Sequence, residues 1–171
     1  MRAIEVLKTR LLNNKLMIQN ENGFTAEVGF EWNTPTNDKD ISKFESETGV
    51  VLPDSYKRFL KLSNGASLFK DTQYGQWGCV LLGLNDILRV TNEVKDRGYE
   101  LENLWVVFAI WLGDGDVLVF DLGKHKLGEK NYILDGDQGF QTDDWEYLKG
   151  DFEKLIDRLI VAQGAKYWRW Y

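Results

Sequence analysis

The chain has 171 residues, a length that fits one domain able to bury a sizeable core without cross-links. Its 43% hydrophobic content and seven tryptophans exclude a disordered chain, and a single cysteine, Cys79, excludes an intramolecular disulfide. A formal net charge of −6 argues against a surface made for nucleic acid.

In chain order, Ile4, Leu7, Leu11 and Leu12 mark a first amphipathic helix, and Lys15 to Trp32 reads as two strands about the turn Asn20-Glu-Asn-Gly23. Ile41 and Phe44 share one face of a helix that Gly49 ends with a left-handed residue. A second helix starts at Pro53, where the first-turn N–H has no intrahelical partner in any case, and Asp54 complements the helix dipole. Tyr56, Phe59, Leu60 and Leu62 form its buried stripe, and Asn64-Gly65 is expected to close it by a second left-handed cap. Ala66 to Gly83 is mixed in character, with Cys79-Val-Leu-Leu82 a short buried strand. Asn85 is expected to cap a further helix, in which Ile87, Thr91 and Val94 or Lys95 follow helical spacing until Gly98. Two long strands follow, from Leu104 and from Asp116, joined by the hairpin signal Leu112-Gly-Asp-Gly115. A strand near Asn131 to Leu134 precedes a polar loop. The last helix begins near Asp151 and buries Phe152, Leu155, Ile156, Leu159 and Ile160. No internal repeat or interdomain linker interrupts the chain. Strands clustered between flanking helices predict a single α+β domain over residues 1–171, with a mostly antiparallel sheet.

Nucleophilic catalysis fails on inventory. The one histidine, His125, lies in Gly123-Lys-His-Lys-Leu-Gly128, which reads as an exposed hairpin turn, and Cys79 sits in an apolar run where a thiol is inert. There is no Gly-x-Ser-x-Gly elbow, no zinc ligand set and no phosphate-cradling glycine motif. Asp114-Gly-Asp116 and Asp135-Gly-Asp137 lack the further ligands of a calcium loop and read as turn formers. No catalytic residue, metal or cofactor is therefore expected. The N-terminus lacks the uninterrupted apolar core of a secretion signal, and no window is long enough to span a membrane. The expectation is a cytoplasmic protein without nucleic-acid or membrane partners, a monomer or weak dimer.

The stretch from Ile41 to Gly65 resembles the signature of the SMI1/KNR4 family, or SUKH superfamily: an acidic helix, Gly-hydrophobic-x-Leu-Pro, Tyr-x-x-Phe-Leu and Asn-Gly. Phe44-Glu45, Gly49, Leu52-Pro53, Tyr56, Phe59-Leu60 and Asn64-Gly65 carry the likeness, with Trp32 upstream. The polar insert Asn33 to Lys39 and Ala66, where a second glycine is common, depart from it. Val106 to Asp121 looks like the family's strand, Gly/Asp turn and Phe-Asp ending, so the likeness extends over about residues 30–160. The resemblance implies an SMI1/KNR4-like fold. For a bacterial member it implies a non-catalytic immunity protein, made beside a polymorphic toxin that it blocks, often a nuclease. For fungal members it implies a regulatory or scaffold role in signalling or cell-wall synthesis.

Charge supplies a candidate surface. Residues 135–157 hold eight acidic side chains against two lysines, and the rest of the chain is balanced, so this segment carries the whole excess. It can be a solvated loop followed by acids favouring the dipole of the last helix. It can equally be a contact surface for a basic partner, formed by Asp143, Asp144, Trp145, Glu146, Tyr147, Asp151, Glu153 and Asp157. Aromatics among the acids, Phe140 included, sharpen the second reading without displacing the first. The ending Lys166-Tyr-Trp-Arg-Trp-Tyr171 either docks on the core, as a last strand, or adds to that surface.

Overall fold

A computed structural model describes residues 1–19 and 23–170. The expected turn Asn20-Glu-Asn-Gly23 thus lies, at 20–22, outside the described residues, as does Tyr171. Eight strands form one sheet in chain order, each antiparallel to the next. They are β1 (Lys15–Gln19), β2 (Thr25–Trp32), β3 (Ala66–Asp71), β4 (Gly78–Leu81), β5 (Trp105–Leu112), β6 (Val117–Asp121), β7 (Ile133–Gly136) and β8 (Glu146–Tyr147). The helices are α1 (Arg2–Arg10), α2 (Asp38–Thr48), α3 (Asp54–Leu60), α4 (Leu84–Asp96), α5 (Leu122–Lys126) and α6 (Phe152–Val161). This is the expected single α+β domain. Among the described residues no helix is long and apolar enough to cross a membrane.

The stretch from α2 to α4 shows why its residues have these identities. Asn37 caps α2 by accepting the Asp40 N–H at 3.0 Å, and Gly49, at φ 72°, ends it. Glu45 reaches past that turn to accept the Leu52 N–H at 2.9 Å, fixing the Leu-Pro step from which α3 departs. Tyr56, Phe59 and Leu60 are fully buried, and the Tyr56 hydroxyl donates to the Leu82 carbonyl at 2.5 Å. Burial pushes the Tyr56 phenol well up, so it remains a donor. Its ring meets Phe120 and Phe152 edge-on, and Phe108 stacks on Phe120 at 3.8 Å.

Several local expectations change. Leu12 lies beyond the end of α1 and is 78% exposed, because the chain turns back there into a bridge with Lys15. Leu62 likewise follows the end of α3 and is only half-buried. Asn64-Gly65 does not cap α3, which ends at Leu60. Instead the Asn64 side-chain oxygen accepts the Leu84 N–H at 2.9 Å, capping α4 from a distant part of the chain. Asn85 therefore does not cap that helix. Gly65 has φ 93°, and a Cβ there would stand 2.9 Å from the Gly83 nitrogen, so both backbone conformation and space demand glycine. Residues 66–71, whose character was mixed, form β3. The segment holding His125 is the short helix α5, with Asp121 as its N-cap, not a hairpin turn.

Candidate functional site

One end of the sheet gathers three of the hairpin tips. Asp71 lies at the end of β3, Gly78 pairs with Leu112, and Val117 pairs with Gly136, so the β3–β4, β5–β6 and β7–β8 connections all emerge together. A Cβ on Gly113 would stand 2.5 Å from the Gln76 carbonyl, so the first two of these tips touch. The chain after α6 runs across the same end. Gln163 accepts the Gln19 N–H of β1 at 2.7 Å, Gly164 packs on Phe69 of β3, and a 3-10 turn at Tyr167–Arg169 reaches β7. The C-terminal residues thus dock on the domain, as a turn rather than a strand.

Ion pairs hold that segment. Lys166 bonds Asp114 at 2.7 Å and also Asp116, while Arg169 grips Asp135 through two bonds of 2.6 and 2.8 Å and reaches Asp116 at 2.8 Å and Asp137 at 3.1 Å. Burial alone would raise the Asp116 carboxyl, but Lys166, the Gln138 N–H and Arg169 outweigh it and hold its pKa down. The guanidinium of Arg169 loses hydration, but Asp135, Asp116 and Asp137 together outweigh that loss, so its pKa rises. Asp114 and Asp137 also bond N–H groups two residues on, as their turn reading requires. Their role as anchors for the tail was not visible in sequence, because the paired charges stand 32 to 53 residues apart. The presence of two bases in a tail beside a surplus of aspartate was the only hint.

An open groove of about 840 Å³ lies between this tail and the chain from Asp135 to Lys149. Asp144, Glu146, Phe140 and Trp170 line it, the two aromatics 58% and 54% exposed. It joins the acidic segment to the aromatic ending.

The eight residues proposed from sequence do not form one surface. Asp143, Asp144 and Glu146 are exposed. Trp145 is buried, its ring stacked on Tyr99 and Trp105 and its N–H donating to the Asp137 carbonyl at 3.0 Å. Tyr147 is half-buried, donates to Asp121 at 2.7 Å, and carries the Lys124 ammonium 3.6 Å above its ring. Burial and the Asp121 carboxylate raise its pKa. Asp151 caps α6, and Glu153 pairs with Arg58 at 2.9 Å. With Asp157 they line a second groove, of about 750 Å³, shared with Arg2, Val6 and Arg10 of α1.

Groups capable of nucleophilic chemistry are spread apart. His125 packs edge-on against Tyr132, and burial lowers its pKa despite the nearby Asp54. Burial raises the Cys79 thiol. Among the described residues no group of three or more His, Cys, Asp or Glu side chains is placed to hold a metal ion.

The model of the SMI1/KNR4 family (SUKH-1) matches residues 35–158 of the chain. Two proteins of Bacillus subtilis (strain 168) are similar to it. The uncharacterized protein YobM is 31% identical over 136 residues, which is 77% of this chain and 69% of YobM. The uncharacterized protein YnaB is 32% identical over 144 residues, covering 83% of this chain and 88% of YnaB. The family match takes in the groove wall from Asp135 to Lys149 and stops before the tail that forms the other wall.

Proposed function

The chain belongs to the SMI1/KNR4 family (SUKH-1), and from that premise we propose that it is an immunity protein that binds one cognate toxin domain and occludes its active site. Membership fits this role. The groove between Asp144, Glu146 and the exposed Trp170 is the observation that carries the choice of surface, because it sets unpaired carboxylates beside large aromatic anchors. A nuclease is the favoured toxin class. Its cleft is built to hold phosphates and is therefore basic, so an acidic surface attracts it, speeds encounter by about 10- to 1,000-fold and competes with the substrate. Blocking of this kind needs no catalytic group, and the protein acts in the cytoplasm, where its toxin is made.

The test pairs the chain with the C-terminal domain of the toxin encoded beside it. Wild-type protein should abolish toxin activity in co-expression and in a purified nuclease assay. Replacing Asp143, Asp144 and Glu146 together by lysine should remove protection while leaving the far-ultraviolet spectrum unchanged. Full protection by the triple variant would displace the contact from this segment, and failure of the wild-type protein to protect would refute the immunity role.

A further inference from the structure

The five exposed aromatic side chains among the described residues stand at the hairpin-tip end of the sheet. They are Phe24, Tyr74, Trp77, Phe140 and Trp170. The opposite end exposes aliphatic side chains such as Leu104 and Leu127 and no comparable aromatic. An exposed set of this kind at one end of a domain marks an interaction surface. It is continuous. Tyr74 and Trp77 flank Gln76, whose carbonyl abuts Gly113; Asp114 of that turn holds Lys166; and Arg169 joins the tail to Asp137, three residues before Phe140.

From Tyr74 and Trp77 to Phe140 the rim crosses the ends of β3 to β7, roughly 20 Å at about 4.8 Å between strands. A standard protein interface buries about 800 Å² on each partner, a patch nearly 30 Å across. The rim and the groove near Asp144 together approach that span.

Charge chooses the occupant. The connecting segments 72–77, 113–116 and 137–145 contain no lysine or arginine, and of their aspartates Asp114, Asp116 and Asp137 are held by the tail, while Asp143 and Asp144 face solvent. The two bases of the tail, Lys166 and Arg169, are already held by four carboxylates. A second copy of this rim, or an anionic membrane, meets repulsion there. A basic protein face gains twice, since its lysines and arginines find both carboxylates and the faces of Tyr and Trp rings.

We infer that the whole hairpin-tip rim, from Tyr74 and Trp77 on the β3–β4 connection to Phe140 and Trp170, is the docking surface for a basic protein partner. This rests on the immunity reading for the partner's identity and extends its contact well beyond the acidic segment.

The toxin domain encoded beside the chain is the probe, titrated by calorimetry against wild-type protein and three variants. Tyr74→Ser with Trp77→Ser should weaken binding at least about tenfold, since aromatic anchors dominate interface energetics. Glu47→Lys, on exposed α2 away from the rim, should change it less than about twofold. Trp170→Ser should weaken it as the tip variant does, and since both sites are exposed, unaltered melting temperatures will exclude unfolding as the cause. Unchanged binding by Tyr74→Ser with Trp77→Ser, beside a tightly binding wild type, would overturn the rim and leave the immunity role standing. No binding by the wild type would overturn that role and the rim's partner with it. Self-association through these aromatics, or binding to anionic vesicles, would also overturn the rim as proposed.

Discussion

Around Tyr56 and Asn64, polar atoms find partners within the molecule, whereas at the hairpin-tip end carboxylates and rings face solvent. Tyr56 bonds the Leu82 carbonyl, Glu45 the Leu52 N–H and Asn64 the Leu84 N–H, so the polar residues by which the family is recognised are engaged in holding α2, α3 and α4 against the sheet. At the other end Asp143, Asp144 and Glu146 remain exposed beside Phe140 and Trp170. The lesson is that the most recognisable stretch of this chain describes its scaffold, and the surface proposed here for a partner lies elsewhere.

Four variants test that division, the largest effect first. Tyr56→Ala removes a ring buried among Phe108, Phe120 and Phe152 and strips the Leu82 carbonyl of its donor. It should cost about 4 kcal/mol in urea unfolding, with unaltered partner affinity for the fraction that stays folded. A cost under about 1 kcal/mol would show that the signature region is not the mechanical centre of the fold.

Lys166→Met probes the seam between the two regions, because Lys166 neutralises the nearly buried Asp116. The loss should be about 2 kcal/mol near pH 7. Its pH dependence has a definite sign. The folded pKa of Asp116 is depressed, so its stabilisation is fully present above the unfolded value of about 4 and is lost as pH falls through the folded value. The gap between wild type and Lys166→Met should therefore narrow as unfolding is followed from pH 6 down to pH 3. A gap that stays constant would mean that Lys166 acts through packing on Trp111 instead.

Asn64→Ala deletes the remote cap of α4 and should cost about 1 kcal/mol, with hydrogen exchange rising first at the start of that helix. Equal loss of protection across α3 would assign Asn64 to that helix's end after all. The smallest stability effect is expected from Asp143→Lys with Asp144→Lys, within about 0.5 kcal/mol of wild type, although this pair belongs to the proposed contact. A large destabilisation here would erase the contrast between the two ends.

Salt sharpens the same comparison. Exposed carboxylates are screened within about 8 Å at physiological ionic strength, so partner association should slow as salt rises. The core around Tyr56 contributes apolar burial, which salt leaves nearly untouched at these concentrations.

Much of the architecture was legible in the chain itself. Ile41, Phe44 and Gly49 define a helix and its end, Ile87, Thr91 and Val94 a second, and Phe152, Leu155, Ile156 and Leu159 a third, since helical periodicity and caps act over a few residues. The glycine-bearing turn between β5 and β6 declared its hairpin for the same reason. Likewise, the α+β class follows from the order of such elements. Tertiary structure decided what depends on residues brought together across the chain. Asn64 caps a helix that begins twenty residues later, Trp145 leaves the acidic loop for a stack with Tyr99 and Trp105, and Lys166 and Arg169 neutralise aspartates on two distant turns. Hydrogen bonds and ion pairs of this kind have no periodicity to betray them. Sequence placed the excess charge between 135 and 157, and the register of the sheet then determined which carboxylates are neutralised by the tail and which face solvent beside the aromatic rim.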